Sequence, residues 1–168
     1  MKKAILILAV ILGCAFFLTV NSYAEEKFAY VDLSKIFSEY QKTKDFDKAL
    51  TDKQGTYREE MDKKTNEVKQ LQDKMNLLSD KERENKKGEF ETKFKALQDF
   101  ERQKLTDLRK EQDEKMQEVF KDIEAAVKQY AEKEKYTLVF NDRVFVYQTK
   151  NMDITDKIID ILNKGYKK

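Results

Sequence analysis

The sequence predicts a mainly α protein with a small β part: a long antiparallel α-helical hairpin, coiled-coil-like, on a small β body that trimerises. Three observations carry this. Leu97, Leu108, Val119 and Tyr130 recur every eleven residues, and so do Phe94, Leu105, Met116 and Val127. Eleven residues is close to three helical turns, so the two series run along one apolar stripe. Upstream, Phe46, Tyr57 and Val68 keep the same spacing, as do Leu50 and Met61, which supplies a partner helix. Runs rich in β-formers lie only towards the two ends, at Phe28–Val31 and Tyr136–Tyr147. An eleven-residue period gives a nearly straight or weakly right-handed seam.

The chain opens with Met1-Lys2-Lys3, an apolar run from Ala4 to Val20, and small residues at Ser22 and Ala24. This is the pattern of a signal peptide over residues 1–24, cut between Ala24 and Glu25. Two other readings stay open: an uncleaved amino-terminal anchor, and a lipoprotein, because Ile11-Leu12-Gly13-Cys14 is lipobox-like although apolar residues continue past Cys14. Each implies export, and the simple leader points to a bacterial periplasm. The chain has 34 Lys+Arg and 32 Asp+Glu. The leader carries Lys2 and Lys3 and no acid, so the mature chain has 32 of each sign and no formal net charge. That balance gives no argument for nucleic acid or an acidic partner. Cys14 leaves with the leader, so no disulfide is expected.

Phe28–Val31 reads as a strand. Asp32 can cap a short helix, Leu33 to Glu39, with Leu33, Ile36, Phe37 and Tyr40 on one face. The first arm runs from about Gln41 to Leu78, roughly 57 Å at 1.5 Å per residue. Ser79-Asp80-Lys81-Glu82 is a capping box, so the next helix starts directly after Ser79. The second arm, about Asp80 to Lys135, is roughly 84 Å. So short a connection makes the arms antiparallel neighbours over residues 41–135, with the tip near 77–81. Beyond it, Tyr136–Phe140 and Val144–Tyr147, joined by Asn141-Asp142, read as a β-hairpin. Asp153 caps a last helix, Ile154 to Asn163. Residues 25–40 and 136–168 thus form a body of about three strands and two short helices. Such a body is small for a lone core and has open sheet edges. Copies in a ring of three would pair them, with Val31, Leu138, Val139, Phe140, Phe145 and Tyr147 as candidates for the trimer core.

The arms read either as a structural coiled coil or as flexible limbs offering apolar surface to a bound chain. Tyr57, Met61, Met75, Phe90, Phe94 and Phe100 are candidates for that surface, being large or adaptable side chains unlike the Leu and Ile of a tight seam. Chemistry is argued against. The chain has no His, and its one Cys lies in the leader. That removes the usual general base, the thiol nucleophile and the commonest metal ligands. Four Gly and no G-x-x-x-x-G-K-[ST] pattern leave no phosphate-cradling loop, so no nucleotide, cofactor or metal is expected.

With these features in order, the chain resembles the Skp/OmpH-like periplasmic chaperone family. The resemblance rests on the leader, on Phe28-Ala-Tyr-Val-Asp-Leu-Ser-Lys-Ile-Phe37, on the tip Leu77-Leu-Ser-Asp-Lys81 and on Asp153-Ile-Thr-Asp-Lys-Ile-Ile159, and it covers residues 25 to 165. It implies a homotrimer with a small β-barrel body and three hairpin arms around a cavity. It also implies an ATP-independent holdase for unfolded outer-membrane proteins. The neutral mature chain departs from the basic, best-known members, which argues against strong attraction to acidic clients. A tip cluster, Lys81, Arg83, Lys86 and Lys87, could stand in for a weak membrane or lipopolysaccharide contact. Asp80, Glu82, Glu84 and Glu89 interleave with it, the pattern of a solvated helix face. The rival reading is an envelope spacer, free or lipid-anchored, without chaperone activity.

Overall fold

The structure, a computed structural model, describes residues 26–167. The leader and its cleavage point at Ala24 and Glu25 lie outside the described residues. The chain runs β1 (Phe28–Val31), α1 (Leu33–Glu39), α2 (Gln41–Asn76), α3 (Asp80–Glu134), β2 (Leu138–Asn141), two 3-10 turns (Asp142–Val144 and Lys150–Met152) and α4 (Thr155–Gly165). At 1.5 Å per residue α2 is about 54 Å long and α3 about 82 Å, so α3 is both the longer wall of the hairpin and part of its foot.

Local chemistry sets each boundary. Asp32 starts α1 by accepting from the Lys35 amide at 2.9 Å. At the tip, the Glu82 carboxylate accepts from the Ser79 amide at 3.1 Å and from the Ser79 hydroxyl. These two bonds, the hydroxyl first, hold the Glu82 carboxyl below its usual range. Arg83 reaches back across the turn and donates to the carbonyls of Met75 and Leu78, which closes the end of α2. α3 stops at Lys135, whose φ of 60° is left-handed; the Tyr136 amide then donates to the Ala131 carbonyl at 2.9 Å.

β1 and β2 pair in parallel, Phe28 opposite Leu138 and Val31 opposite Asn141. The whole hairpin is therefore the crossover between two neighbouring strands. The other side of β1 is taken by the segment before α4, where the Ile154 amide donates to the Tyr30 carbonyl at 3.0 Å. The core sits at this foot: Ala29, Val31, Ile36 and Tyr40 pack with Val119, Ile123 and Ala126 of α3 and Ile154, Ile158, Ile159 and Leu162.

The expected β-hairpin at residues 136–147 does not form. After Asn141 the chain enters a 3-10 turn, and Val144–Tyr147 is not a strand. A two-residue hairpin turn needs positive φ at its centre, which Asn-Gly supplies. Asn141 instead has φ −75°, and its side chain accepts from the Arg143 amide. Phe145 then folds back edge-on against Phe140 and Tyr30, with ring centroids 5.2 and 6.2 Å apart. The body thus has two strands where three were expected. Asp153 is not the cap expected of it: α4 begins one residue later, its N-cap is Ile154, and the Asp153 carboxylate accepts from the Thr155 amide at 2.9 Å from one position farther out.

Candidate functional site

A two-helix hairpin can cover one apolar row per helix, and α3 carries two. At about 100° per residue, Phe94, Leu105 and Met116 lie roughly 60° to one side of Leu97, Leu108 and Val119. The latter row turns into the seam: Val119 is buried, and Leu97 and Leu108 are half-buried against α2, whose own Val68 is buried. The former row is left on the flank. Phe94 is 44% exposed, Leu105 51%, Met116 50% and the neighbouring Phe120 50%. From Phe94 to Phe120 this open track runs about 39 Å along α3. At the foot it meets a shallow apolar groove lined by Val31, Leu33, Phe120, Ile123, Val127 and Leu138, with Leu138 itself 50% exposed.

Near Met116 the track borders a cleft between the helices. It measures about 80 Å³ and is walled by Phe37, Phe46, Leu50, Met116 and Val119, with Thr43, Glu111 and Lys115 at its margin. Phe37 is braced against Phe120, ring centroids 5.6 Å apart.

The opposite flank is different in kind. Phe100 lies roughly 60° to the other side of the seam row. Its ring is met by the ammonium groups of Lys64 at 5.1 Å and Lys104 at 5.2 Å. Tyr57 is met by Lys104 at 4.4 Å and Lys53 at 5.9 Å. These rings are covered by lysine stems and cations. The half-exposed row of α3 and the lysine-covered Tyr57 and Phe100 thus lie to opposite sides of the seam, and Phe46 in the cleft wall is also met by ammonium groups, Lys115 at 4.4 Å and Lys42 at 5.6 Å.

The six apolar candidates from sequence therefore separate. Phe94 is on the open track, stacked on Phe90 at 5.9 Å. Tyr57 and Phe100 are half-buried under lysines, and Met61, Met75 and Phe90 are half-buried. Leu105, Met116 and Phe120 were missed as open surface. The first two lie in the eleven-residue repeat, which predicts apolar rows without saying which one meets the partner helix.

The tip cluster does not form a basic patch. Arg83 is 3.7 Å from Asp80, Lys86 2.8 Å from Glu89 and Lys87 3.8 Å from Glu84. Lys86 holds the Glu89 carboxyl below its usual range. Lys81 has no ion pair among the described residues, and its neighbour across the turn, Leu77, is 88% exposed. Of the trimer-core candidates, Val31 is buried within the chain's own core, Val139, Phe140 and Phe145 are half-buried, and Leu138 and Tyr147 are exposed. Among the described residues, no group of three or more His, Cys, Asp or Glu is placed to hold a metal, and no helix is long and apolar enough to cross a membrane.

Comparison with known proteins agrees with this architecture. No curated protein matches the chain. A solved crystal structure of an OmpH-like protein from Caulobacter crescentus CB15, assigned there as a candidate outer membrane chaperone, superposes with a TM-score of 0.78. The identity is 12%, with 85% of this chain and 87% of that chain covered, so the likeness is one of fold. The profile of the family described as "Outer membrane protein (OmpH-like)" matches residues 27–162. The chain therefore belongs to the OmpH-like outer membrane protein family.

Proposed function

We propose that the protein is an ATP-independent periplasmic holdase chaperone that binds unfolded outer-membrane proteins and keeps them from aggregating until they insert. The observation that carries this is the open track Phe94–Leu105–Met116–Phe120 on α3. An unfolded outer-membrane strand alternates apolar and polar residues and cannot bury its apolar face before it reaches the bilayer. A long row of half-exposed Phe, Leu and Met, set among charged side chains, gives it many weak contacts in many registers. Such binding favours the unfolded client by mass action. Release needs no fuel, because membrane insertion is the deeper sink.

In this reading three copies associate through their bodies and the tracks line a shared cavity. Support comes from the segment after β2. Val144, Val146 and Tyr147 are exposed, and β2 pairs only with β1 among the described residues. Exposed apolar side chains beside an edge strand are a surface that another chain could cover.

The test is light scattering of a porin diluted from urea, with and without the purified mature protein. Suppressed scattering is expected, and Leu105→Asp with Met116→Asp should abolish most of it at unchanged helicity. A coiled-coil spacer would leave scattering untouched, and that result would overturn the proposal.

A further inference from the structure

The open track of α3 has a symmetry of its own. Beside Phe94, Leu105 and Met116, the same face of the helix carries Phe90, Gln98, Glu101, Arg109, Gln112 and Phe120, at steps of three or four residues. Outward from Leu105 in the two directions, this face is complementary to itself. Four residues out, Glu101 stands on one side and Arg109 on the other. Seven residues out, both are Gln. Eleven residues out stand Phe94 and Met116, and fifteen out stand Phe90 and Phe120. Gln98, Glu101, Arg109 and Gln112 are all exposed. Neither Glu101 nor Arg109 has an ion-pair partner among the described residues, whereas the nearby Arg102 and Lys110 pair with Asp99 and Glu114 along the same helix.

We infer that the track docks against the track of a second copy of this chain, antiparallel and about a twofold axis at Leu105. Such a contact is isologous, so each residue comes level with the one equally far from Leu105 on the other copy. Leu105 then meets its own counterpart, Phe94 meets Met116, Phe90 meets Phe120, and Glu101 meets Arg109 at two symmetric places. Two α-helices climb at the same ~1.5 Å per residue, so this register holds over the roughly 45 Å from Phe90 to Phe120. A parallel pairing in register would set Glu101 beside Glu101 and Arg109 beside Arg109, and like charges side by side oppose it. Charge therefore selects the antiparallel direction. In the proposed trimer the arms rise side by side, so this docking joins arms of different assemblies, mouth to mouth. The apolar row that a lone chain leaves half in the open is covered in the pair. The docking stands without the holdase reading. Joined to it, the pair is a resting form in which a client and a second copy compete for one surface.

The experiment is site-directed cross-linking of concentrated mature protein, whose sequence from Glu25 onward holds no Cys. Glu101→Cys and Arg109→Cys variants are treated with a short bismaleimide, each alone and in equal mixture. The mixture should cross-link several-fold faster than either variant alone, with position 101 joined to position 109 by mass spectrometry. Leu105→Cys alone should join to itself. On that background Glu101→Arg should slow the cross-link several-fold, Arg109→Glu should do the same, and the two together should restore it. Restoration separates lost complementarity from lost folding, since a misfolded arm is not repaired by a second charge reversal. Like-with-like joining as fast as mixed joining would mean a parallel or unspecific contact. No joining of Leu105→Cys would mean that no second copy covers the track. Failure of the double exchange to restore the rate would mean that charge does not set the register. Each of these overturns the inference. The porin assay keeps the two readings apart: suppression of aggregation without the mixed cross-link sinks the docking and leaves the holdase standing, and the mixed cross-link without suppression does the reverse.

Discussion

Lys42 ties the two helices of the arm together near the foot. Its ammonium donates to Glu118 Oε1 and to Asp122 Oδ2, both at 2.7 Å. The Tyr40 hydroxyl donates to the same Asp122 oxygen at 3.0 Å. The Lys42 side chain is only 14% exposed. Burial pulls its pKa down, but the hydrogen bonds to Asp122 and Glu118 outweigh this and hold it above the ordinary value. Lys42→Met keeps the unbranched stem and deletes the charge. Exposed ion pairs contribute about 0.2–1 kcal/mol, and breaking a fully buried one costs about 3–5 kcal/mol. Two pairs with a mostly buried cation and half-exposed acids fall between, at about 2 kcal/mol. In a chain of this length that lowers Tm by roughly 6 °C. Lys53→Met is the control. The Lys53–Glu111 pair lies farther up the arm and more exposed, and its loss should lower Tm by under about 2 °C. The assay is thermal unfolding by far-ultraviolet circular dichroism at one fixed protein concentration, since the proposed association would make Tm concentration-dependent. Equal shifts for the two variants would refute the reasoning, because burial would then not be what distinguishes them.

The same cluster sets limits of pH. The hydrogen bond from Lys42 holds the Glu118 carboxyl below its ordinary value of 4.5, so its contribution is complete above pH 4.5 and is lost as pH falls below it. Glu118→Gln should flatten that acid limb in a stability–pH profile. Burial, and then the hydrogen bond to Asp122, raise Tyr40 from 10.0 to about 12. Its contribution is complete below pH 10.0 and is lost as pH rises towards 12, so Tyr40→Phe should flatten the alkaline limb. At the foot, the buried Thr155 hydroxyl accepts from the Asp32 amide at 2.9 Å. Thr155→Val should cost about 1–3 kcal/mol by chemical denaturation, and Thr155→Ser should recover most of it. If the proposed trimer forms, Val146→Asp, at a fully exposed position, should dissociate it in sedimentation velocity while helicity stays constant. An unchanged sedimentation profile would count against assembly through the β2 edge. Phe145→Asp is the poorer test, because Phe145 is part of the protomer's own packing against Phe140 and Tyr30.

What the sequence determined is what near neighbours in the chain decide. The eleven-residue spacing of Leu97, Leu108 and Val119 predicts a long helix with an apolar row. Ser79 and Glu82 mark where one arm ends and the next begins, and Asp32 marks a helix start, because a cap acts within three residues. Tertiary structure decided everything that depends on which surfaces meet. It placed Val119 in the core and left Met116, three residues away, half in the open, because the partner helix covers one row and not its neighbour. It laid β2 parallel to β1 across more than a hundred residues of chain, and it sent Phe145 back onto Tyr30 where a third strand had been expected. It also gathered Phe37, Phe46, Leu50 and Met116 into one cleft. No local pattern records such a meeting, since the free energy that selects it is the burial of surfaces far apart along the chain.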